Sequence, residues 1–285
     1  MVTYDPGKPL AVVAGSGKLP VTAARLHKAA GGRLLVVSLA PENVDELAEP
    51  ADELVSYSPG QVGHILKGLF KRNVHQLTFL GKVPKQRLFQ GLKLDLTAMR
   101  LWISTRDKSD RGIMTRLCEV LADSGIEVVS QLEVLDDVCA PTGVLTRRKP
   151  NPEESADAEF GLRIAAESAR LGIGQCIIVR GGVVVAVEAL EGTDACLRRA
   201  GELAASGGRL FRGGLVLAKV AGIDHDPRFD IPTVGKQTLA RAAEIGVTCL
   251  AVQSRMTIFA DGREEFLAEA DRLGVAVIGR ELSST

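Results

Sequence analysis

From Glu188 to Asp194 the chain reads Glu-Ala-Leu-Glu-Gly-Thr-Asp, three carboxylates on the end of an apolar run and the turn beyond it. A second cluster lies in Lys219-Val-Ala-Gly-Ile-Asp-His-Asp-Pro-Arg-Phe-Asp-Ile-Pro-Thr-Val-Gly235, where Asp224, Asp226 and Asp230 surround His225 and Arg228. Oxygen-only donors from two loops suit a hard cation such as Mg2+, which a few carboxylates share with the phosphates of a substrate. Zinc would call for Cys or several His. Singly, each residue has a plainer use: Thr193 or Asp194 as a helix N-cap, Asp224 as a turn former, Arg228 and Asp230 as a surface pair. Taken together, Glu188, Glu191, Asp194 and Asp226 are the candidate metal ligands.

The first half offers groups for an anion. Gly15-Ser-Gly-Lys-Leu-Pro20 is a glycine turn between an apolar run and a helical pattern. It is no Walker A loop, because Val12 stands where the first glycine belongs and Leu19 where Ser or Thr should follow the lysine. It is also an incomplete dinucleotide fingerprint, with Pro20 in place of the third glycine and Ser38-Leu39-Ala40 where a ribose-binding acid would sit. Its remaining use is phosphate contact through backbone N–H groups at Gly15, Ser16 and Gly17. Lys82, Lys85 and Arg87 leave the C-terminal end of the apolar run Leu77–Leu80, the side on which open α/β sheets bind ligands. Residues 92–103, which include the sole tryptophan, Trp102, read as core or as the wall of an apolar groove.

These residues need elements to hold them. Leu10–Ala14 and Leu34–Ser38 are apolar without alternation, the pattern of strands buried on both faces in a parallel sheet, with a helix over 21–30 between them. Further strands are expected at Gln76–Leu80 and Ile126–Val129, and helices at 60–72 and 110–124. This half reads as a Rossmann-like domain, 1–143. The segment 144–155, with two prolines and a charge run, reads as a short linker. Beyond it, 156–285 reads as a second α/β domain with mixed strands. It starts with a helix over 156–171 and a hairpin turning at Gly181-Gly182, and continues with strands near 214–220, 248–252 and 275–278.

Length and composition agree with two packed domains: 285 residues, 46% hydrophobic and 25% charged. The formal net charge is zero, from 35 basic and 35 acidic residues. The window Gln61–Arg116, however, has twelve Lys or Arg against three Asp, so it is +9 and the remainder −9. A general nucleic-acid coat is excluded, and one part can grip an anion while another grips a cation. Five cysteines without a CxxC pair, most of them in apolar runs, read as buried thiols. With no leader pattern and no apolar run of about 20 residues, the chain is expected in the cytoplasm, at most peripheral to a membrane. A homodimer is the default expectation for an assembly.

Four blocks together resemble one family. Ala14-Gly-Ser-Gly-Lys-Leu-Pro20 is similar to the opening of the LpxI family, and so are 174–195, Asp226-Pro-Arg-Phe-Asp-Ile-Pro-Thr-Val-Gly235 and Leu273-Gly-Val-Ala-Val-Ile-Gly279. The resemblance covers nearly the whole chain. It implies a UDP-2,3-diacylglucosamine pyrophosphatase of lipid A biosynthesis, acting on a lipid-linked UDP-sugar and requiring Mg2+. It also implies that Asp230 is essential. On that reading Asp230 orients or deprotonates water, Asp226 and Glu191 hold the metal, and Lys82, Lys85, Arg87 and Arg228 clamp phosphate oxygens. Residue types alone leave base and ligand exchangeable, and Thr193 is a further substrate contact. The chain departs from the family at Lys108-Ser-Asp-Arg-Gly112, where Arg111 stands in place of an acid. That departure motivates the alternative of a non-catalytic nucleotide-sugar or lipid-sugar binding protein.

Overall fold

A computed structural model describes residues 3–83, 94–206, 214–222 and 225–282. The chain divides into two compact units, Met1–Leu135 with Pro227–Phe229, and Asp136–Asp226 with Asp230–Thr285.

The described elements of the first unit are β1 (Leu10–Ala14), α1 (Leu19–Ala29), β2 (Leu34–Ser38), α2 (Val44–Ala48), β3 (Glu53–Ser56), α3 (Val62–Lys71), β4 (Gln76–Leu80), α4 (Leu96–Ser104), α5 (Asp110–Asp123), β5 (Glu127–Val128) and α6 (Gln131–Val134). The strands form one parallel sheet in the order β3-β2-β1-β4-β5. Every residue of β1 and β2 is buried, as their unbroken apolar runs required. Ala11 and Val13 of β1 face Leu66 and Leu69 of α3 and Leu121 of α5. The crossovers run outward from β1 to β3, then return to β4 on the other side of β1. That places the topological switch point at the C-terminal ends of β1 and β4.

Only Ala98 and Leu101 of α4 are buried, while Leu96, Met99, Trp102 and Ile103 are exposed. The stretch 92–103 is thus not core as a whole, since its apolar residues cover more of the helix than one packed face can bury. The departing segment Lys108–Gly112 opens α5. The Ser109 hydroxyl accepts a hydrogen bond from the Gly112 N–H at 3.1 Å, and Asp110 occupies the first turn.

The second unit contains β6 (Gly143–Val144), α7 (Pro152–Arg170), β7 (Cys176–Arg180), β8 (Val183–Val187), α8 (Thr193–Ser206), β9 (Leu215–Lys219), β10 (Thr233–Val234), α9 (Lys236–Glu244), β11 (Val247–Gln253), β12 (Ile258–Phe259), α10 (Arg263–Leu273) and β13 (Ala276–Arg280). Its large sheet has the order β6-β13-β11-β9-β7-β8. Strands β9, β11 and β13 are mutually parallel, and β7 is antiparallel to both of its neighbours, so this is the mixed sheet expected. Helix α7 covers one face through Ala158, Leu162 and Ala165. Helices α8, α9 and α10 cover the other through Leu197, Leu239 and Phe266. The β7–β8 hairpin turns at Gly181 and Gly182, both at positive φ (56° and 74°), as a two-residue turn of this hand requires. The buried Asp157 carboxylate on α7 accepts both of their N–H groups at 2.7 Å.

The stretch 144–155 is built into the second unit rather than free of it. Val144 pairs with Ile278, and the Thr146 hydroxyl accepts from the Val277 N–H at 2.9 Å. Pro152 is the first residue of α7, four positions before the expected start, and Asn151 with Glu154 forms a reciprocal capping box. The prolines and charges that suggest a loop are a helix N-terminus, where proline's fixed φ is already helical and its missing N–H costs nothing. Burial would raise the Glu154 carboxyl, but hydrogen bonds from Arg148, Thr248 and Asn151 outweigh it and hold the group below the ordinary carboxylate value.

Candidate functional site

At the switch point of the first unit, the glycine turn and Lys82 are joined through their backbones. Gly15 N–H donates to the Leu80 carbonyl at 2.8 Å, and Ser16 and Lys82 exchange two N–H···O bonds of 2.9 Å. The Ser16 hydroxyl adds a third bond to the Lys82 carbonyl, also at 2.9 Å. This close approach explains the glycines: a Cβ on Gly15 would lie 2.6 Å from the Lys82 carbonyl oxygen, and one on Gly81, at φ +84°, 2.7 Å from that of Ser16. Asn43 donates to the carbonyls of Gly15 and Gly17 and fixes the turn from the other side. The N–H groups of Gly15 and Ser16 are therefore engaged within the protein, and the donors the turn can offer an anion begin at Gly17. The turn leads into α1, which opens without a capping side chain and without an acid in its first turn. Such a helix end favours an anion. Lys85 and Arg87 lie outside the described residues, as does Asp224.

In the second unit, strand direction gathers a different set. Because β8 and β9 are both antiparallel to β7, their C-terminal ends lie at the same edge of the sheet. Cys176, the first residue of β7, is opposite Lys219 in register, and its carbonyl accepts from the Glu188 N–H at 2.9 Å. Thr193, the first residue of α8, donates its hydroxyl to Glu188 Oε1 at 2.7 Å. Lys219 Nζ donates to the Thr233 carbonyl at 3.0 Å and to Thr193 Oγ1 at 3.4 Å. Burial pushes the Cys176 thiol far above its usual range, Lys219 opposing the rise and Glu188 adding to it, so this sulfur is a packing group.

The four expected metal ligands are not gathered into one set. Glu191 pairs with Arg199 at 2.7 Å, Asp194 pairs with Arg241, and Glu188 takes the Thr193 hydroxyl. Among the described residues no three His, Cys, Asp or Glu side chains come together as a metal site. The carboxylates are near in number, but two of them are already neutralised, Glu191 by Arg199 on the helix that follows it and Asp194 by Arg241 on a helix far along the chain. These groups do not fit as a pre-assembled Mg2+ site.

The Asp226–Gly235 motif is divided. Asp230 N–H donates to the Asp226 carbonyl at 3.0 Å, and Asp230 Oδ2 lies 3.4 Å from His225 Nδ1. The His225 ring is 3% exposed and the Asp230 side chain 55%, so a buried imidazole backs a carboxylate open to water. Pro227–Phe229 belongs to the first unit: the Pro227 carbonyl accepts from Gln131 N–H at 2.8 Å and Phe229 packs on the β1–α3–α5 core. Arg228 lines a cavity of about 310 Å³ with Cys118, Ala122, Glu127 and Val128. Lys219 and Thr233 were not singled out from sequence. The signal available was a lysine ending an otherwise apolar run, Leu215–Ala218.

Comparison with known proteins agrees over the full length. The family model for the LpxI N-terminal domain matches residues 9–138, and that for the LpxI C-terminal domain matches residues 141–278. A curated protein from Caulobacter vibrioides, named UDP-2,3-diacylglucosamine pyrophosphatase LpxI, is 34% identical over 277 residues, covering 95% of this chain and 96% of its own. Among solved structures, an ADP complex of N5-carboxyaminoimidazole ribonucleotide synthetase aligns over 70% of this chain and 45% of its own, with a TM-score of 0.29 and 10% identity. That likeness carries no argument.

Proposed function

The chain belongs to the LpxI family, and from that premise we propose that it hydrolyses the pyrophosphate of UDP-2,3-diacylglucosamine to UMP and 2,3-diacylglucosamine 1-phosphate. The observation that carries this reading is the full-length match to a protein named for that activity. In the reaction a water oxygen bonds to one phosphorus, the bridging P–O bond breaks, and one proton of the water passes to a base.

Asp230 is the base in this proposal, because it is a carboxylate that water can reach and whose backbone is held by Asp226. Arg228, Lys82, Lys85 and Arg87 are assigned to the non-bridging oxygens, where fixed positive charge stabilises the pentacovalent transition state. Thr193 and the Gly15-Ser16-Gly17 turn remain substrate contacts, the turn through its donors from Gly17 onward. Mg2+ is kept as a companion of the pyrophosphate, whose oxygens supply much of its coordination. None of the steps above is routed through it. The alternative of a module without turnover draws on Arg111 in the altered Lys108–Gly112 segment, whose Ser109 caps a helix.

The test is UMP release from UDP-2,3-diacylglucosamine by the purified chain. Turnover that EDTA abolishes and added Mg2+ restores is expected. Tight binding of the intact substrate with no UMP would replace hydrolysis by the binding-module reading.

Peripheral membrane contact, part of the same proposal, falls to α4. Leu96, Met99, Trp102 and Ile103 share one exposed arc of this helix, and Arg100 and Arg106 beside them have no carboxylate partner among the described residues. Apolar and aromatic side chains flanked by cations are the composition of an interfacial helix, and no described helix is long and apolar enough to cross a membrane. Since Trp102 is the only tryptophan, its emission should shift to the blue on vesicles containing phosphatidylglycerol and not on pure phosphatidylcholine. An unchanged spectrum on both would remove the contact from α4.

A further inference from the structure

Lys219 is 9% exposed and ends β9, yet its ammonium has no carboxylate within 4.0 Å among the described residues. Its two hydrogen bonds go to neutral oxygens, the Thr233 carbonyl at 3.0 Å and the Thr193 hydroxyl at 3.4 Å. The nearest acid in the hydrogen-bond chain is Glu188, one hydroxyl further on: Thr193 Oγ1 accepts from Lys219 and donates to Glu188 Oε1 at 2.7 Å. An ammonium has three N–H donors and two are accounted for. A buried cation whose direct partners are both neutral is a costly arrangement, because Glu188 offsets its desolvation only across the intervening Thr193 hydroxyl. Among the described residues, the strand-end acid linked to it is Glu188, and only through Thr193. Glu191 and Asp194, the other carboxylates of this edge, are paired with Arg199 and Arg241.

We infer that Lys219 is an anion-binding residue whose remaining N–H donates to a phosphate oxygen of the ligand, with Thr193 and Thr233 holding the ammonium in place. The inference rests on the pyrophosphatase reading only for the identity of that ligand; the chemistry itself requires no more than a phosphate group. The placement supports it. Lys219 lies at the C-terminal end of a strand in an open α/β sheet, where ligands of such folds bind. Thr193 is the first residue of α8, so the amides of that helix's first turn add to the positive field.

A lysine retained for a ligand and not for the fold has a signature that a structural lysine lacks. In the ligand-free protein Lys219→Met removes a buried charge that has no direct carboxylate partner among the described residues, so the melting temperature should hold or rise. The same variant should bind inorganic pyrophosphate about ten- to a hundredfold more weakly than wild type by calorimetry, the usual weight of one hydrogen bond to a charged group. Lys219→Gln, which keeps a donor for Thr233 without the charge, should lose the same affinity and serves if the methionine variant does not fold. Wild-type affinity for pyrophosphate in Lys219→Gln would overturn the inference. So would a large drop in ligand-free melting temperature with binding retained. Pyrophosphate binding that depends on Lys219 in a chain that releases no UMP would leave this inference standing and remove the pyrophosphatase reading instead.

Discussion

Asp230→Ala is expected to reduce kcat for UMP release by about 10²–10⁴, the range lost when a positioned general base is removed. The side chain is 55% exposed, so its truncation opens no cavity and should leave the melting temperature within a degree or two. Asp230→Asn separates proton acceptance from shape, because the amide keeps the size and loses the basicity. A loss nearly as large as in Asp230→Ala is expected. KM should change little in both, since the aspartate acts on water and the substrate phosphates are assigned to Lys82 and Arg228. A variant with wild-type kcat would move the base elsewhere, with Asp226 next in line. It neighbours Asp230 through the 3.0 Å bond between Asp230 N–H and its own carbonyl.

Phe259→Ala is expected to destabilise the second unit by about 3–5 kcal/mol. Phe259 on β12 and Phe266 on α10 are both fully buried, with ring centroids 4.3 Å apart and planes 14° from parallel. The stacked pair joins the small β10–β12 sheet to the core that α8 and α9 share. Removing one ring leaves a cavity lined by aliphatic side chains and forfeits the stacking of the other. Against a typical domain stability of about 5–15 kcal/mol this is a large fraction. The urea transition of the second unit should fall to a clearly lower midpoint. Domain-specific probes are needed, because two units need not unfold in one step. A change below about 1 kcal/mol would mean that the cavity collapses and that the pair contributes little beyond contact area.

Several features could be read directly from the chain, and for a common reason. Unbroken apolar runs such as Leu10–Ala14 and Leu34–Ser38 have no polar face to expose, so they had to be strands buried on both sides, and all ten residues are. Gly181-Gly182 between two apolar runs had to be a hairpin, because only glycine takes two successive positive φ angles without strain. The short elements escaped detection. Glu53–Ser56, Gly143–Val144 and Thr233–Val234 are two to four residues long, and no periodicity can be recognised over so few positions. Pro150 and Pro152 suggested a linker because proline is equally at home in a loop and in a first helical turn. What decided between them was the Asn151–Glu154 capping pair together with the packing of α7 on its sheet.

The sequence by itself determined which residue types could do chemistry: carboxylates in two loops, cations after Leu80, and the motifs that mark the family. Tertiary structure decided which of those groups are available. Arg241, remote from the carboxylate loop in residue number, neutralises Asp194, and Arg199, one helix segment beyond the loop, neutralises Glu191. The Lys82 carbonyl engages the turn amide of Ser16. Lys219, one lysine among the chain's 35 basic residues, stands out only once its burial and its neutral partners are known. The physical reason is that charge and hydrogen-bonding capacity belong to a side chain, whereas their compensation belongs to its neighbours. Strand order and helix packing bring those neighbours from far along the chain.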